Sequence, residues 1–221
     1  MSTSTSPDRI SRPSHRPSTP PALAALVVES DGWLASRLCD LMQAEPGFRL
    51  AGAAAGAEDA MSMAKRERFD IAVIGHRPPT ESAFRLCRVL KRMPAPPAVV
   101  ICCARPDGVH AACCAVADAD ALVDIYDCDA ELAGTLDRVA RGVRFLPAVP
   151  PGVGAMVREC LDPPEYALLA LLLAGSPPAG VASTLGISDA ELESRRKALL
   201  GKLETLPSAP QGVLDRSRSG R

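Results

Sequence analysis

The residues of this sequence that could do chemistry follow short apolar runs, where the strands of α/β sheets end and functional sites commonly lie. Asp31 follows the run "ALVV", and Asp124 and Asp127 lie in "DALVDIYDC". These carboxylates could cluster at one edge of a sheet, although separately solvated carboxylates at loop starts are the simpler interpretation. The run "FDIAVIGHRPP" ends differently, because Gly75 stands where a functional side chain is expected. Either the site lies elsewhere or this edge carries no chemistry.

The cysteines form a second candidate set, since the chain contains 8 of them. Cys102 and Cys103 lie in the apolar run "AVVICCA", and Cys113 and Cys114 lie in an Ala-rich helical run. Neither pair has the two-residue gap of a zinc knuckle, and the 3 histidines are scattered along the chain. Buried cysteines acting as small hydrophobic residues are the favoured interpretation. A redox switch or a metal site is the alternative.

Composition and charge narrow the class of protein. A net charge of -1 gives no whole-molecule field toward nucleic acid, membrane or acidic partners. Residues 1–22 are rich in Ser, Thr, Pro and Arg and lack the apolar core of a signal peptide, and we expect this segment and residues 207–221 to be disordered. No apolar run reaches the roughly 18 residues of a membrane span, which predicts a cytoplasmic protein. No catalytic triad, Gly-rich phosphate loop or metal cluster has usable spacing, so neither enzymatic activity nor a cofactor is expected.

The elements that position these residues alternate along the first two thirds of the chain. We predict strands in "ALVV", "FRLAGAAA", "DIAVIG", "AVVICCA" and "DALVDIY", separated by amphipathic helices. Leu132, Leu136 and Val139 have the spacing of one helical face. Continuously apolar strands separated by helices indicate a parallel sheet covered on both faces. Residues 23–144 are therefore predicted to form a flavodoxin-like, doubly wound α/β domain, followed by a Pro-rich linker at 145–160.

The pattern of residues 161–206 is purely helical. "LDPPEYALLALLLAG" opens with Asp162 as N-cap and Glu165 closing a capping box, and Ser188 and Glu191 predict a second box. The short helix "PPAGVASTLG", a Gly-Ile-Ser turn and a longer helix predict a helix-turn-helix. A generic helical packing unit is the alternative.

Residues 26–206 resemble the NarL/FixJ family of bacterial response regulators, which join a receiver domain to a LuxR-type helix-turn-helix. The segments "LDPPEYALLALLLAG", "VASTLGIS" and "ELESRRKALLGKLE" are similar to that family's "LTPREREVLRLLAEG", "IAARLGIS" and "TVKTHVSRILEKLG". "RGVRFLPAVPPGV" is also similar to the segment that leads out of a family receiver. The resemblance implies a homodimer bound to double-stranded DNA, because such domains commonly read paired half-sites.

The chemistry of a family receiver is missing from this sequence. A working receiver needs two acids for Mg²⁺, an acceptor aspartate, a Thr or Ser, and a Lys. The corresponding positions here are Glu29, Ser30 with Asp31 displaced by one residue, Gly75, Cys103 and the vicinity of Ile125. The resemblance therefore implies a degenerate receiver that accepts no phosphoryl group. His76 could replace the acceptor as a phosphohistidine, but a solvent-facing loop histidine is the favoured interpretation.

The second helix of the helix-turn-helix carries the predicted DNA-binding residues, which are Glu193, Ser194, Arg195, Arg196 and Lys197. Leu192, Leu199 and Leu203 form the expected buried stripe. Arg195 and Arg196 flank this stripe, so we expect them to extend outward toward phosphates. The family usually has Lys where this sequence has Glu193, and "KE" where it has Ala179 and Gly180.

The sequence thus predicts an atypical, phosphorylation-independent transcriptional regulator that binds DNA. Its degenerate receiver would serve as a dimerisation module or sense a protein or small-molecule partner. The alternative is a regulator that no longer binds DNA and acts through protein contacts alone.

Overall fold

A computed structural model describes residues 22–77 and 82–207 of the chain. Its first domain is a five-stranded parallel sheet with the strand order β2-β1-β3-β4-β5. The strands are β1 (Leu23–Val28), β2 (Phe48–Ala54), β3 (Ile71–His76), β4 (Ala98–Cys103) and β5 (Ala121–Asp124). The helices between and after them are α1 (Gly32–Ala44), α2 (Ala57–Ala64), α3 (Ala83–Lys91), α4 (Gly108–Ala117) and α5 (Cys128–Ala140). The predicted flavodoxin-like, doubly wound fold is confirmed.

The sheet is covered on both faces, as its continuously apolar strands predict. One apolar cluster, which contains Cys102, lies between the sheet and helices α1 and α5. The other, which contains Cys103, lies on the side of α3 and α4. Successive side chains of a strand point to opposite faces, so these neighbouring cysteines belong to different cores. The parallel strands also bring the residues that follow β1, β3, β4 and β5 to one edge, called the carboxyl edge below.

Two of these helices are short. Helix α2 ends at Ala64, before the charged run "KRER", and α3 ends at Lys91. The predicted disordered tails, residues 1–22 and 207–221, fall outside the described residues except for their inner ends.

The C-terminal part contains four further helices. They are α6 (Pro151–Cys160), α7 (Pro163–Leu173), α8 (Pro178–Leu185) and α9 (Asp189–Leu203). The segment 145–160, predicted as a linker, contains helix α6, whose Val153 and Val157 are buried. No described helix is long and apolar enough to cross a membrane.

The predicted capping box forms at the start of α7 but not at the start of α9. Asp162 and Glu165 form the predicted capping box of α7. At α9, the Ser188 hydroxyl accepts a hydrogen bond from the Glu191 amide, but the Glu191 carboxylate pairs with Arg195 instead of closing the box. Gly186 ends α8 in the left-handed conformation with a φ of 63°, as a glycine after a helix allows.

Helix α4 is the element that joins the two parts of the molecule. It is made of Gly, Ala, Val, Cys and a single His, and nearly every residue is buried. A helix that is apolar on all sides is covered on all sides. The sheet and α3 cover one side of α4, and α6, α7 and α9 cover the other. Leu168, Leu192 and Leu199 therefore belong to the same apolar cluster as α4, and the two domains share one core.

Candidate functional site

At the carboxyl edge, the side chain of Glu29 occupies the space beside Gly75. A Cβ atom at position 75 would lie 1.8 Å from Glu29 Oε2 and 2.8 Å from its Cδ. Distances under 3.0 Å are essentially never seen for real Cβ atoms. Any side chain at position 75 therefore requires Glu29 to move. The carboxylate of Glu29, the residue that follows β1, fills the space that a side chain at position 75 would occupy.

Glu29 is held there by one oxygen. Its Oε1 accepts a hydrogen bond of 2.8 Å from the Asp31 amide and a longer one of 3.5 Å from the Ser30 hydroxyl. Its Oε2 is buried and has no hydrogen-bond partner among the described residues. Glu29 also borders a cleft of about 170 Å³, which Arg77 and Ser82 line on other sides.

The other carboxylates of this edge are engaged individually, as the sequence analysis favoured. Asp31 caps α1 by accepting a 3.0 Å hydrogen bond from Leu34, and it lies 2.8 Å from Arg77 in an ion pair. The Leu34 amide and then Arg77 lower the pKa of Asp31. Asp124 accepts hydrogen bonds from the amides of Arg105 and Tyr126.

These residues do not fit the Mg²⁺ ion of a receiver. Glu29 turns one oxygen toward Gly75 and the other toward a backbone amide, and Asp31 is paired with an arginine. Mg²⁺ needs carboxylate oxygens that are open to it in near-octahedral geometry. In the described parts of the chain, no group of three or more His, Cys, Asp or Glu side chains could hold a metal ion.

His76 is the last residue of β3 and is partly buried, which corrects the interpretation of it as a solvent-facing loop histidine. Its ring lies 4.5 Å from the ring of Phe84 and 5.7 Å from that of His110. Burial, and secondarily the charge of His110, lower the pKa of His76 to about 4. Cys103, at the Thr/Ser position, is buried, and burial raises the pKa of its thiol. Neither side chain is placed to hold an anion at neutral pH.

The five predicted DNA-binding residues of α9 are divided between two environments. Ser194 and Lys197 are exposed, and Arg195 is partly exposed and pairs with Glu191. Glu193 and Arg196 instead lie against the first domain. The predicted stripe of Leu192, Leu199 and Leu203 is buried.

Arg196 does not extend outward, as the sequence analysis expected. It is 4% exposed, and its Nε and Nη2 donate hydrogen bonds of 3.0 and 2.7 Å to the carbonyl oxygen of Val116. That carbonyl lies in the last turn of α4, where helical carbonyls lack partners and a cation is stabilised. Burial lowers the pKa of Arg196, and Glu193 opposes this effect. Arg196 is thus a C-terminal cap of α4 supplied by the other domain.

Ion pairs complete this contact between α9 and the first domain. Arg88 Nη2 lies 2.7 Å from Glu193 Oε2, and Glu193 Oε1 lies 3.2 Å from Arg196. Near the end of α9, Arg85 donates two hydrogen bonds of 2.8 and 3.0 Å to Glu204. We call this set, Arg85, Arg88, Glu193, Arg196 and Glu204, the domain contact.

Solved structures have a similar fold at low sequence identity. The RcsB response regulator of Salmonella typhimurium is 13% identical with a TM-score of 0.51, over 85% of this chain and 94% of that one. A structure of the two-component response regulator RcsB in complex with DNA is 13% identical with a TM-score of 0.53, over 85% of this chain and 94% of that one. A LuxR-family response regulator from Aurantimonas sp. is 19% identical with a TM-score of 0.52, over 62% of this chain and 96% of that one. No family model and no curated protein matches the sequence.

The chain has the fold of a response regulator. Its first domain is a receiver by fold, and its C-terminal helices form the helix-turn-helix part. The features that sequence reasoning missed are the placement of Glu29 beside Gly75 and the domain contact. The apolar composition of α4 could have predicted the domain contact, because a helix that is apolar on all sides needs a packing partner on its outer side as well.

This receiver is expected to accept no phosphoryl group from acetyl phosphate. Position 75 has no acceptor, Ser30 replaces an acid, and the segment around Ile125 contains no Lys to neutralise the developing charge. Full-length protein incubated with acetyl phosphate and Mg²⁺ should run as one unshifted band on a phosphate-affinity gel. A shifted band that disappears in Asp31→Ala or His76→Ala would contradict this expectation.

Proposed function

We propose that this protein is a DNA-binding regulator of transcription that acts in the cytoplasm without phosphorylation. The observation that carries the proposal is the geometry of α8, the turn at Gly186 and α9, which leaves Ser194 and Lys197 exposed on one face of α9. In this arrangement the second helix of a helix-turn-helix enters the major groove. The DNA complex of RcsB, which has a similar fold, supports the same role for α9.

The charges that α9 offers to phosphates are few. Lys197 is exposed, while Lys202 lies 2.5 Å from Glu165 and Arg195 lies 2.6 Å from Glu191. Exposed pairs of this kind are weak and can open. Affinity for nucleic acid in general rests on cations that displace counterions. We therefore expect binding that is weak at physiological salt and depends on groove contacts for its selectivity.

The domain contact sets a condition on this function. Glu193 and Arg196 are held by the receiver, and Glu193 borders the exposed face of α9. A helix can insert into the major groove only if no other part of the protein is packed beside the face that contacts DNA. DNA binding then requires either that α9 leaves α3 and α4 or that its readout is confined to the face of Ser194 and Lys197.

The proposed active species is a homodimer. Paired half-sites match a two-fold protein, and dimers are described for RcsB on DNA. The receiver is proposed to act as the dimerisation or sensing part, with a protein or small-molecule partner in place of a phosphoryl group.

A second candidate function is a regulator that works through protein contacts alone. The observation that favours it is the burial of Arg196 and the pairing of Glu193 with Arg88, which remove two of the five predicted DNA-binding residues from the exposed surface. The continuous apolar core between α4 and the C-terminal helices also favours a closed molecule.

Lys197→Ala and Glu193→Lys distinguish the two functions. If α9 reads DNA, Lys197→Ala should weaken retention on DNA and lower the salt slope by about 0.9. Glu193→Lys should strengthen retention and relax selectivity, because it loosens the domain contact and adds a cation beside the exposed face of α9. The measurement is DNA retention of the full-length protein over a series of salt concentrations.

Glu191→Lys is the matched control. It makes the same charge change on the same helix, but Glu191 is exposed and pairs with Arg195 within α9 rather than with the receiver. It should raise non-specific retention without loosening the domain contact. Unchanged retention in Lys197→Ala and Glu193→Lys at low salt would reject DNA binding and leave the second candidate.

A further inference from the structure

A basic surface lies at the edge of the receiver opposite the carboxyl edge. The segment "KRER", residues 65–68, follows the end of α2 and leads into β3. Lys65, Arg66 and Arg68 are exposed, and so is Glu67 between them. Three cations and one carboxylate thus lie together on a chain whose net charge is -1.

The three cations of this segment have no carboxylate partners. Neighbouring cations on α3 do, since Arg88 lies 2.7 Å from Glu193 and Lys91 lies 2.5 Å from Asp120. Within residues 22–77 and 82–207, no carboxylate forms an ion pair with any of the three. Like charges that stand close together repel one another, and a bound polyanion relieves that repulsion.

A cleft of about 300 Å³ joins the segment to the end of α3. Residues 65–69 form one wall of the cleft, and Leu90, Met93 and Pro94 form the other. Arg92 follows α3 directly, and its side chain is 67% exposed. We call the four cations around this cleft the basic rim, which consists of Lys65, Arg66, Arg68 and Arg92.

The basic rim reaches the helix that is proposed to read DNA. Arg92 Nε lies 3.8 Å from Glu193 Oε2 on α9. Lys197 is exposed and comes four residues after Glu193, so the two occupy neighbouring positions on one side of the helix. Lys197, Arg92 and the segment after α2 therefore follow one another along one side of the molecule while the domain contact is intact.

Duplex DNA matches this arrangement of charges. A helix in the major groove lies between two phosphate backbones, and elements beside that helix contact the phosphates. Arginine and lysine bind phosphate oxygens, and each such contact releases counterions. An acidic protein segment also complements cations, but the continuity of the basic rim with the exposed face of α9 favours DNA.

We propose that the basic rim binds the phosphate backbone of duplex DNA while α9 stays against the receiver. The inference rests on the proposed DNA-binding function and selects one of its two arrangements. Readout is confined to the face of Ser194 and Lys197, and the receiver supplies the phosphate contacts that α9 lacks. If α9 instead left α3, the contact between Arg92 and Glu193 would break, and the basic rim would no longer lie beside the groove.

Acetylation of lysine side chains tests this arrangement without any substitution. Lys65 belongs to the basic rim and Lys197 to the exposed face of α9, whereas Lys91 and Lys202 are held in ion pairs elsewhere. Full-length protein is acetylated at low salt with and without duplex DNA of mixed sequence, and the modified peptides are quantified. We expect DNA to protect both Lys65 and Lys197. Lys202 should stay unprotected, since it lies on the side of α9 opposite Glu193.

Arg66→Ser/Arg68→Ser tests the same contacts by charge removal. It should lower the salt slope of DNA retention by about 0.9 for each arginine. Arg138→Ser/Arg141→Ser is the matched control, because it makes the same charge change at exposed positions of α5 and its end, on the other face of the sheet. The control should keep the slope of the unmodified protein.

The outcomes separate this inference from the proposed function. Protection of Lys197 alone, with an unchanged slope in Arg66→Ser/Arg68→Ser, would overturn the inference and leave α9 as a reader that detaches from the receiver. Protection of neither lysine would remove DNA binding and the inference together. Protection of Lys65 by polyglutamate but not by duplex DNA would also overturn the inference, because it would assign the basic rim to an acidic protein partner.

Discussion

Gly75→Ala is expected to destabilise the protein by about 1–3 kcal/mol. The new Cβ would lie 1.8 Å from Glu29 Oε2, which is the far end of a flexible side chain and can turn aside. The cost comes from repacking around the new methyl group and from disturbing the 2.8 Å hydrogen bond that Glu29 Oε1 accepts from the Asp31 amide. Gly75→Asp should cost more, because it places two carboxylates side by side. The measurement is urea unfolding of the full-length protein.

Glu29→Ala provides the internal check on this explanation. In Glu29→Ala/Gly75→Ala the space beside position 75 is empty, so the double variant should be about as stable as Glu29→Ala alone. The coupling between the two positions should then reach roughly 1–3 kcal/mol. Gly134→Ala is the control for adding a methyl group, since Gly134 lies in α5 with nothing within 4 Å of its would-be Cβ. It should be neutral or slightly stabilising, and additive effects of Glu29→Ala and Gly75→Ala would contradict the packing of Glu29 against Gly75.

Arg196→Ala is expected to lower the stability of the whole molecule by about 2–4 kcal/mol, because it leaves the Val116 carbonyl without its donor and removes one of the arginines that pair with Glu193. In a chain of this size, that corresponds to a decrease in Tm of roughly 4–16 °C. Amide hydrogens in the last turn of α4 should exchange faster, since Arg196 caps the Val116 carbonyl. The readouts are thermal unfolding and hydrogen exchange resolved by peptide.

Arg195→Ala is the matched control on the same helix. Arg195 forms an exposed pair with Glu191, and such pairs contribute at most about 1 kcal/mol. In Arg195→Ala, the amide hydrogens of α4 should exchange at the same rates as in the unmodified protein. If Arg196→Ala and Arg195→Ala behaved alike, or if α4 kept its protection, Arg196 would not be the cap that links the two domains.

The sequence predicted the elements well because their signals are local. Continuously apolar strands, the helical spacing of Leu132, Leu136 and Val139, and the capping box of α7 are all decided within a few residues, and the structure confirms them. The absence of a side chain at Gly75 was visible for the same reason, since it is read directly from the residue at the end of a strand.

The features that escaped prediction depend on residues far apart in the chain. Nothing local indicates that Glu29 fills the space of a missing side chain on another strand. The side chain of Arg196 was expected to be exposed, because an arginine beside a leucine stripe usually extends into solvent. Arg196 donates to a carbonyl of α4 that is 80 residues away in the sequence. The residue pattern of either helix alone does not indicate that the two helices pack together.

The placement of α4 has a consequence for how the protein is made. The chain leaves the ribosome from its N-terminus, so all five strands and α4 emerge before α9 exists. At about 5–20 residues per second, the outer face of α4 waits on the order of ten seconds for Leu192 and Leu199 to arrive. During that interval the part of α4 that α9 covers lies exposed on a nearly complete receiver. Truncation before α9 would leave this part of the surface permanently open, so nascent chains halted there should bind chaperones more than full-length chains do.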